Sequence, residues 1–529
     1  MEIKSQKFLI FLLIIILSLF ALLGMNSRSA LGDEFGTIWL ASQNSVSFII
    51  EKVQQTDVNP PTQYLLFHYW GKIFGYSDYA MRLLPLLFTL LSIILLWDLI
   101  DLIIKNISLG EKILIFLLSA SAPVIWTTAN VARYYSLGMF FGLLSAYFYL
   151  KWYYRQSNVA LLLITILITS FLFYVQYLMA AVLALGQGLH YLANIKSKSI
   201  KERWLWILSQ SIIILLFSPI FLYYIAPILI GKVNNLNNSA FEGISGFKAI
   251  PLVFLGNIFT TFTGAIPFPW DVWVTLPLII ILLYTLIFAI KERWASFTKI
   301  HLYLCFLPFL LLSIIIALIL PVTGYFYGIY RAVSLAVLVV LIFSSLILKI
   351  SNIRIRYSFI IIMILMNIYL IIIYNLNSYS YQQTPPIKEI AQLIINNESP
   401  EEHALIFHPF VHGWGDPIIR YLPDKFSSYF LTDLDNGTTI DSSERIVTSL
   451  LTRKIFLINS NRFDTKASIL NNWLQYHGYV LSYQKEFQKQ YSYDLWFKNF
   501  IQKIKFLDFK QETSHEYILS LKMYERKPN

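Results

Sequence analysis

The chain has 529 residues, 57% of them hydrophobic and 16% aromatic but only 13% charged, where soluble domains carry roughly 25% charged residues. Its 41 Lys and Arg exceed its 30 Asp and Glu, yet they fall in short gaps between apolar segments and form no basic run or nucleic-acid motif. That excludes a nucleic-acid binder and marks a polytopic membrane protein whose positive balance is topological. Cys305 is the only cysteine, so there is no intrachain disulfide, Cys-rich metal site or Cys-pair redox chemistry.

Phe8 to Ser27 contains no charge and follows Lys4 and Lys7. It suits the ~20 residues a helix needs to cross a bilayer, with the N-terminus in the cytoplasm. A cleaved signal peptide is the alternative, but the apolar run is long for one and Arg28 interrupts the best small-residue site. Leu31 to Arg82 then holds acids, prolines and aromatics between two hydrophobic segments. A loop of that length exceeds a simple connector, and long loops on a rigid scaffold are where binding and catalysis concentrate.

Further spans are expected at Leu83–Ile104, Ile113–Ala132, Ser136–Leu150, two within Gln156–Ile195, Leu205–Pro227, Val272–Ile290, Ile300–Leu320, Ala332–Leu348 and Ser358–Tyr374, about eleven in all. Alternate gaps carry the basic residues: Lys105 and Lys112; Lys151 and Arg155; Lys196, Lys198, Lys201 and Arg203; Lys291, Arg293 and Lys299; Lys349, Arg354 and Arg356. The opposite gaps carry few, which the positive-inside rule reads as a cytoplasmic N-terminus and an extracytoplasmic tail. Tyr381-Gln-Gln-Thr-Pro-Pro386 marks a boundary, so residues 1–380 form the membrane domain and 381–529 a second one. The tail alternates helix-like and strand-like segments at Ile387–Asn396, Ala404–His408, Ser443–Leu451, Lys454–Ile458, Ala467–Tyr476 and Tyr479–Tyr483. This predicts a small α/β domain with its own core.

Several polar residues in this apolar chain have both a chemical and a structural reading. Asp33 can take a proton from an acceptor hydroxyl just outside the membrane, or simply cap a helix starting near Glu34. Asn59-Pro60-Pro61 forces an extended entry, a turn able to aim Tyr64 and His68 toward the site, while His68 suits a packing role better. Arg133, at the outer end of the third span beside Tyr134 and Tyr135, can pair with a phosphate through forked donors or anchor at the interface. Phe173-Tyr174-Val-Gln176-Tyr177 sits at the next outer turn. Arg331, in Gly324-Tyr-Phe-Tyr327-Gly-Ile-Tyr330-Arg331, offers a second cation on that side, or snorkels from a helix start. His403, His408, His412 and Asp416 in the tail meet no metal-ligand spacing, because Pro409, Gly413 and Gly415 break the helix that would align them.

The order and spacing of these pieces resemble the GT-C glycosyltransferases of the protein O-mannosyltransferase and aminoarabinose transferase superfamily. The matching residues are Asp33-Glu34, Asn59-Pro60-Pro61 with Tyr64, His68 and Trp70, Phe74-Gly75-Tyr76-Ser77-Asp78 running into Arg82-Leu83-Leu84-Pro85, and Ala129-Asn-Val-Ala-Arg133-Tyr-Tyr. Members often have His or Lys where this chain has Asn59. The resemblance implies a GT-C-like helical membrane domain and an active-site loop at 31–82. It implies transfer of a sugar, with inversion, from a polyprenyl-phosphate donor to an extracytoplasmic lipid, glycan or protein. In that reading Asp33 and Glu34 are catalytic, and Asn59, Tyr64, His68, Arg133, Tyr134, Tyr177 and Arg331 bind substrate. No cofactor is required by the sequence; a divalent metal ion is compatible with it, with Glu34 the carboxylate placed to bind one. The expected setting is a bacterial cytoplasmic membrane. A transporter or flippase for a lipid-linked saccharide is the rival, although transporters place their polar residues near the bilayer midplane, and a noncatalytic scaffold is a third reading.

Overall fold

The computed structural model describes residues 12, 14–19, 21–25, 30, 33–57, 59–155, 158–227, 250–264, 272–291, 300–319, 333–376, 387–397, 405–408, 418–423, 427–430, 454–460, 470–472, 474–476, 478–488 and 518–526. The chain divides into two compact units, one of Met1–Met25 with Leu40–Leu376 and one of Asn26–Trp39 with Asn377–Asn529.

The first unit is a helical bundle. Among the described residues four helices, Asp78–Ile103, Ile200–Tyr223, Ile300–Leu318 and Ile353–Ile372, are long and apolar enough to cross a membrane, and a bent pair makes a fifth candidate. Shorter apolar helices join them, including Val159–Val175, Tyr177–Ala193 and Val333–Leu348. This is an integral membrane protein. The apolar side chains on Asp78–Ile103 show how such a helix divides: Ile93, Leu96 and Ile100 are buried, while Leu87, Leu91 and Ile94 face outward. An outward apolar stripe is costly in water and costs nothing in lipid.

Helices approach closely where side chains are small. Gly142 of Tyr135–Tyr154 meets Ser334 so tightly that a Cβ would lie 2.5 Å from its Oγ, the close approach small residues allow between membrane helices. Polar side chains tie the same helix to its neighbours. Thr89 donates to the Ser136 hydroxyl (3.1 Å), and Ser136 donates to the Thr128 carbonyl (2.9 Å).

The expected span Ile113–Ala132 is not one helix. It breaks into Leu109–Ala120 and Pro123–Ala129, bent by 48°. Pro123 is the cause, since it biases its predecessor away from helical geometry, and Ala122 takes φ −58°, ψ 128°. One carbonyl at the break is satisfied inside the bundle: the Trp126 indole donates to that of Ala120 (2.8 Å), while the Asn367 amide holds the neighbouring Ser121 side chain by donating to its Oγ (3.0 Å). Ile250–Thr263 is a helix the sequence did not announce. Its Asn257, Thr260, Thr261 and Thr263 dilute the apolar signal, but the three threonines donate to carbonyls one turn back at 2.7–3.0 Å. It ends on Gly264, at φ +67°, where a Cβ would meet Thr127 at 2.7 Å. At 14 residues it is about 21 Å long, short of the ~30 Å hydrocarbon core.

The second unit contains a five-stranded mixed sheet in the order β2-β1-β3-β5-β4, with β1 Leu405–His408, β2 Ser427–Phe430, β3 Lys454–Ser460, β4 Tyr479–Gln488 and β5 Ile518–Arg526. β1 pairs in parallel with β2 and β3, and β5 runs antiparallel to β3 and β4. The helix Ile387–Asn396 buries Ile387, Ile390, Ala391 and Ile394, a three-to-four spacing, in one core with Ile406, Phe456 and Ile458. Ile455 and Leu457 are buried on the other face of β3, which is why this central strand reads as a continuous apolar run. β2 and β5 were not anticipated, and Ser443–Leu451 lies outside the described residues. The backbone N–H of Ala30 donates to the Tyr421 hydroxyl (2.7 Å), tying the segment before Asp33 to this unit.

Candidate active site

Asp33 and Glu34 open the helix Asp33–Ala41, where two carboxylates meet the positive end of the helix dipole. Asp33 therefore stands within the first turn and not ahead of it, and its carbonyl accepts from the Thr37 hydroxyl (3.0 Å). Asp33 is exposed, whereas Glu34 is only 5% exposed. Both carboxylates belong to the second unit.

The first unit holds a polar cluster of its own at the N-terminal end of Tyr135–Tyr154. Its frame is the segment 40–78. Val46–Thr56 is capped by Ser45, whose side chain accepts from the Phe48 N–H (3.2 Å). The helix stops at Asp57, in extended geometry. Asp57 Oδ1 accepts from the Asn59 backbone N–H (3.1 Å) and side-chain Nδ2 (2.9 Å), a side-chain turn that leads the chain into Pro60-Pro61. Thr62–Phe74 follows and buries Gln63, Tyr64, Phe67, His68 and Gly71.

Tyr64 and Arg133 meet Asp57 in one constellation. The Tyr64 hydroxyl donates to Asp57 Oδ2. Arg133 Nη1 donates to the Tyr64 hydroxyl at 2.9 Å and reaches Asp57 Oδ2 at 3.5 Å. The arginine and aspartate side chains are 4% and 10% exposed, so their attraction is weakly screened. Burial pushes the Tyr64 phenol well above its usual range, with the Asp57 carboxylate adding to the effect and Arg133 opposing it. Tyr64 therefore stays protonated and links carboxylate to guanidinium.

Gln63 fixes the next residue along: its Oε1 accepts from the Tyr134 backbone N–H (2.8 Å). The Arg133 guanidinium lies 5.5 Å from the Tyr134 ring centroid. Tyr134 shares a buried cluster with Leu137 and Val175, with Leu66 packed against it. That brings the end of Val159–Val175 to the same place, with Tyr177 two residues beyond, after Gln176 caps Tyr177–Ala193 by accepting from Met179 N–H (3.0 Å). His68 is one turn on from Tyr64 and fully buried, with Nδ1 2.8 Å from the Ala41 carbonyl. A carbonyl only accepts, so Nδ1 carries the proton, and this histidine braces Thr62–Phe74 against Ala41.

Of the residues singled out in the sequence, Asn59, Tyr64, Arg133 and Tyr134 come together, and Arg331 lies outside the described residues. Sequence reasoning missed Asp57 and Gln63. Asp57 had a readable signal, an aspartate two residues before an Asn-Pro-Pro turn; Gln63 had none. Another cation, Arg82, is fully buried and donates to the Met25 carbonyl. Among the described residues no group of three or more His, Cys, Asp or Glu comes together to hold a metal ion.

No protein-family model and no curated protein matches the chain. Among solved structures it is similar to ArnT from Cupriavidus metallidurans in the apo state, with a TM-score of 0.51 and 12% identity, covering 98% of each chain. The similarity to the same protein bound to undecaprenyl phosphate has a TM-score of 0.50 and 13% identity, covering 97% of each. Over nearly its whole length the chain has the GT-C fold that its loop and arginine motifs led us to expect.

Proposed function

We propose that this GT-C-fold protein is a glycosyltransferase that moves a sugar from a polyprenyl-phosphate carrier to an acceptor outside the cytoplasm. The observation that carries the reading is Arg133, a guanidinium buried beside Tyr64 and Asp57 at one end of a bundle whose flanks are apolar and outward-facing. A lipid-borne phosphate reaches such a place from the bilayer. Support comes from the shared fold with ArnT, which has been seen with undecaprenyl phosphate bound.

In this reading Arg133, with Arg331, stabilises the departing phosphate by charge-assisted hydrogen bonds. Asp33 accepts the acceptor's proton as its oxygen or nitrogen attacks the anomeric carbon. The bond from that carbon to the phosphate oxygen breaks with its electron pair going to the phosphate, and displacement from the opposite face inverts the centre. Tyr134, Tyr177 and Asn59 contribute to the donor's surroundings, and Tyr64 acts through Arg133. His68 supports the loop. Glu34 is the neighbour that would offer a carboxylate to a divalent ion, and transfer that depends on both Glu34 and added metal would give it that role.

The setting is a bacterial cytoplasmic membrane, with the N-terminus inside and the second unit outside. Cys305 is fully buried, so single cysteines introduced elsewhere report their own accessibility. A cysteine in place of Lys196 should react with an impermeant maleimide only from the cytoplasmic side, and one in place of Tyr476 only from the outer side. Labelling of Tyr476→Cys from within would overturn the orientation.

The deciding experiment uses the full chain in lipid with a panel of polyprenyl-phosphate sugars, following release of the carrier phosphate. Release with at least one donor is expected; lipid movement across the bilayer without release would favour a flippase. The broken helix Leu109–Ala120/Pro123–Ala129 is the feature a transporter would share, but at its break the Ala120 carbonyl is taken by the Trp126 indole and the Ser121 hydroxyl by the Asn367 amide.

A further inference from the structure

Arg133 already has an anion of the chain's own. One nitrogen, Nη1, serves both the Tyr64 hydroxyl at 2.9 Å and Asp57 Oδ2 at 3.5 Å. The second distance is longer than the ~2.7–2.9 Å of a full charge-assisted bond. Asp57, for its part, does not depend on the arginine. Its Oδ1 takes two donors from Asn59, and its Oδ2 takes the Tyr64 hydroxyl. Those three bonds remain if the guanidinium turns away. The same three donors occupy three of the carboxylate's roughly four acceptor sites, which leaves it poorly placed to take a proton from a substrate. Its chemistry at this spot is that of a fixed negative charge.

We propose that Asp57 is the resident counter-anion of Arg133 and sets the affinity for a lipid-linked phosphate by competing with it for that guanidinium. The inference rests on the reading of Arg133 as a phosphate ligand. When the phosphate arrives, Nη1 exchanges a loose carboxylate contact for the phosphate oxygen; when it leaves, the ion pair closes again. Asp57 thereby places a negative charge beside the buried arginine when no phosphate is bound, which offsets part of the cost of burying that cation. It also weakens the hold on the phosphate left after transfer, and product release limits turnover in many enzymes. Tyr64 stays with the carboxylate throughout and acts as the pivot.

The test titrates the full-length protein in phospholipid nanodiscs with undecaprenyl phosphate and reads Kd. Asp57→Asn keeps the side chain's shape, and Asp57→Ser keeps an oxygen able to hold the Asn59 turn; the two removals of charge are independent safeguards against a folding defect. Both are expected to bind about tenfold tighter than the wild type, the equivalent of about 1.4 kcal/mol. Asp57→Glu, which keeps the charge, should stay near the wild-type Kd. Arg133→Ala should bind more weakly, and adding Asp57→Asn to it should change nothing further. If the neutral variants bind as the wild type does, or more weakly, while Arg133→Ala is impaired, the competition is overturned and Arg133 keeps its role. If Arg133→Ala binds as tightly as the wild type, the phosphate-ligand reading falls and the proposal with it.

Discussion

The two ends of Tyr135–Tyr154, a 20-residue helix about 30 Å long, are built from different chemistry. At its N-terminal end Arg133, Tyr64 and Asp57 form a buried charged cluster held by hydrogen bonds. At its C-terminal end the rings of Trp152, Tyr191 and Trp206 stack on one another at 4.8–5.8 Å with interplanar angles of 17–23°. Beside them Tyr149 donates to the Gln187 carbonyl (3.0 Å) and lies 2.7 Å from His190 Nδ1. Lys198 sits 3.8 Å from the Tyr153 ring centroid, and its Nζ donates to the Tyr153 carbonyl (3.2 Å). Stacked rings gain from their own contact, and they carry no charge, so that end anchors. A buried cation whose own carboxylate contact is loose, at 3.5 Å, can exchange it for an incoming anion, so the other end is the one suited to a ligand.

Substitutions should separate these regions by what they damage. The largest expected effect is on chemistry outside both clusters: Asp33→Asn should lower transfer by about 10²–10⁴-fold while donor binding persists, the usual range for a positioned base. Asn also suits a helix start, so a merely structural Asp33 predicts near-normal transfer; Glu34→Gln, measured alongside, shows whether the base lies one residue on. Next, Arg133→Ala should cost donor binding about 1.5–3 kcal/mol, one charge-assisted contact, with membrane insertion and thermal stability little changed. Normal donor titrations for that variant would make the charged end an anchor too and erase the contrast. Trp206→Ala should do the reverse. Its two stacked ring contacts at roughly 0.5–1.5 kcal/mol each predict a loss of about 1–3 kcal/mol in stability from stacking alone, read as a lower unfolding temperature in detergent, with the donor Kd unchanged. A selective loss of donor affinity there would sink the assignment of the aromatic end to anchoring.

Much of this architecture was written into local pattern. Charge-free runs and alternating basic gaps determined the membrane class and most of the helices, because hydrocarbon admits few alternatives to an apolar helix. The pair within Gln156–Ile195, for example, resolves into Val159–Val175 and Tyr177–Ala193. Pattern also located Ile387–Asn396 and three of the strands, since amphipathic spacing and apolar runs are properties of neighbouring residues. Arg133, Tyr64 and Asn59 were visible as polar exceptions in an apolar chain. Only the tertiary structure decided what those exceptions do to one another. Asp57 and Arg133 are separated by 76 residues, and nothing local says that an aspartate closing one helix lies against an arginine opening another. Gln63 reaching the Tyr134 backbone, and Asn367 reaching the break at Ser121, are of the same kind. A hydrogen bond across the bundle is set by where two backbones pass, and that is a property of the packed whole.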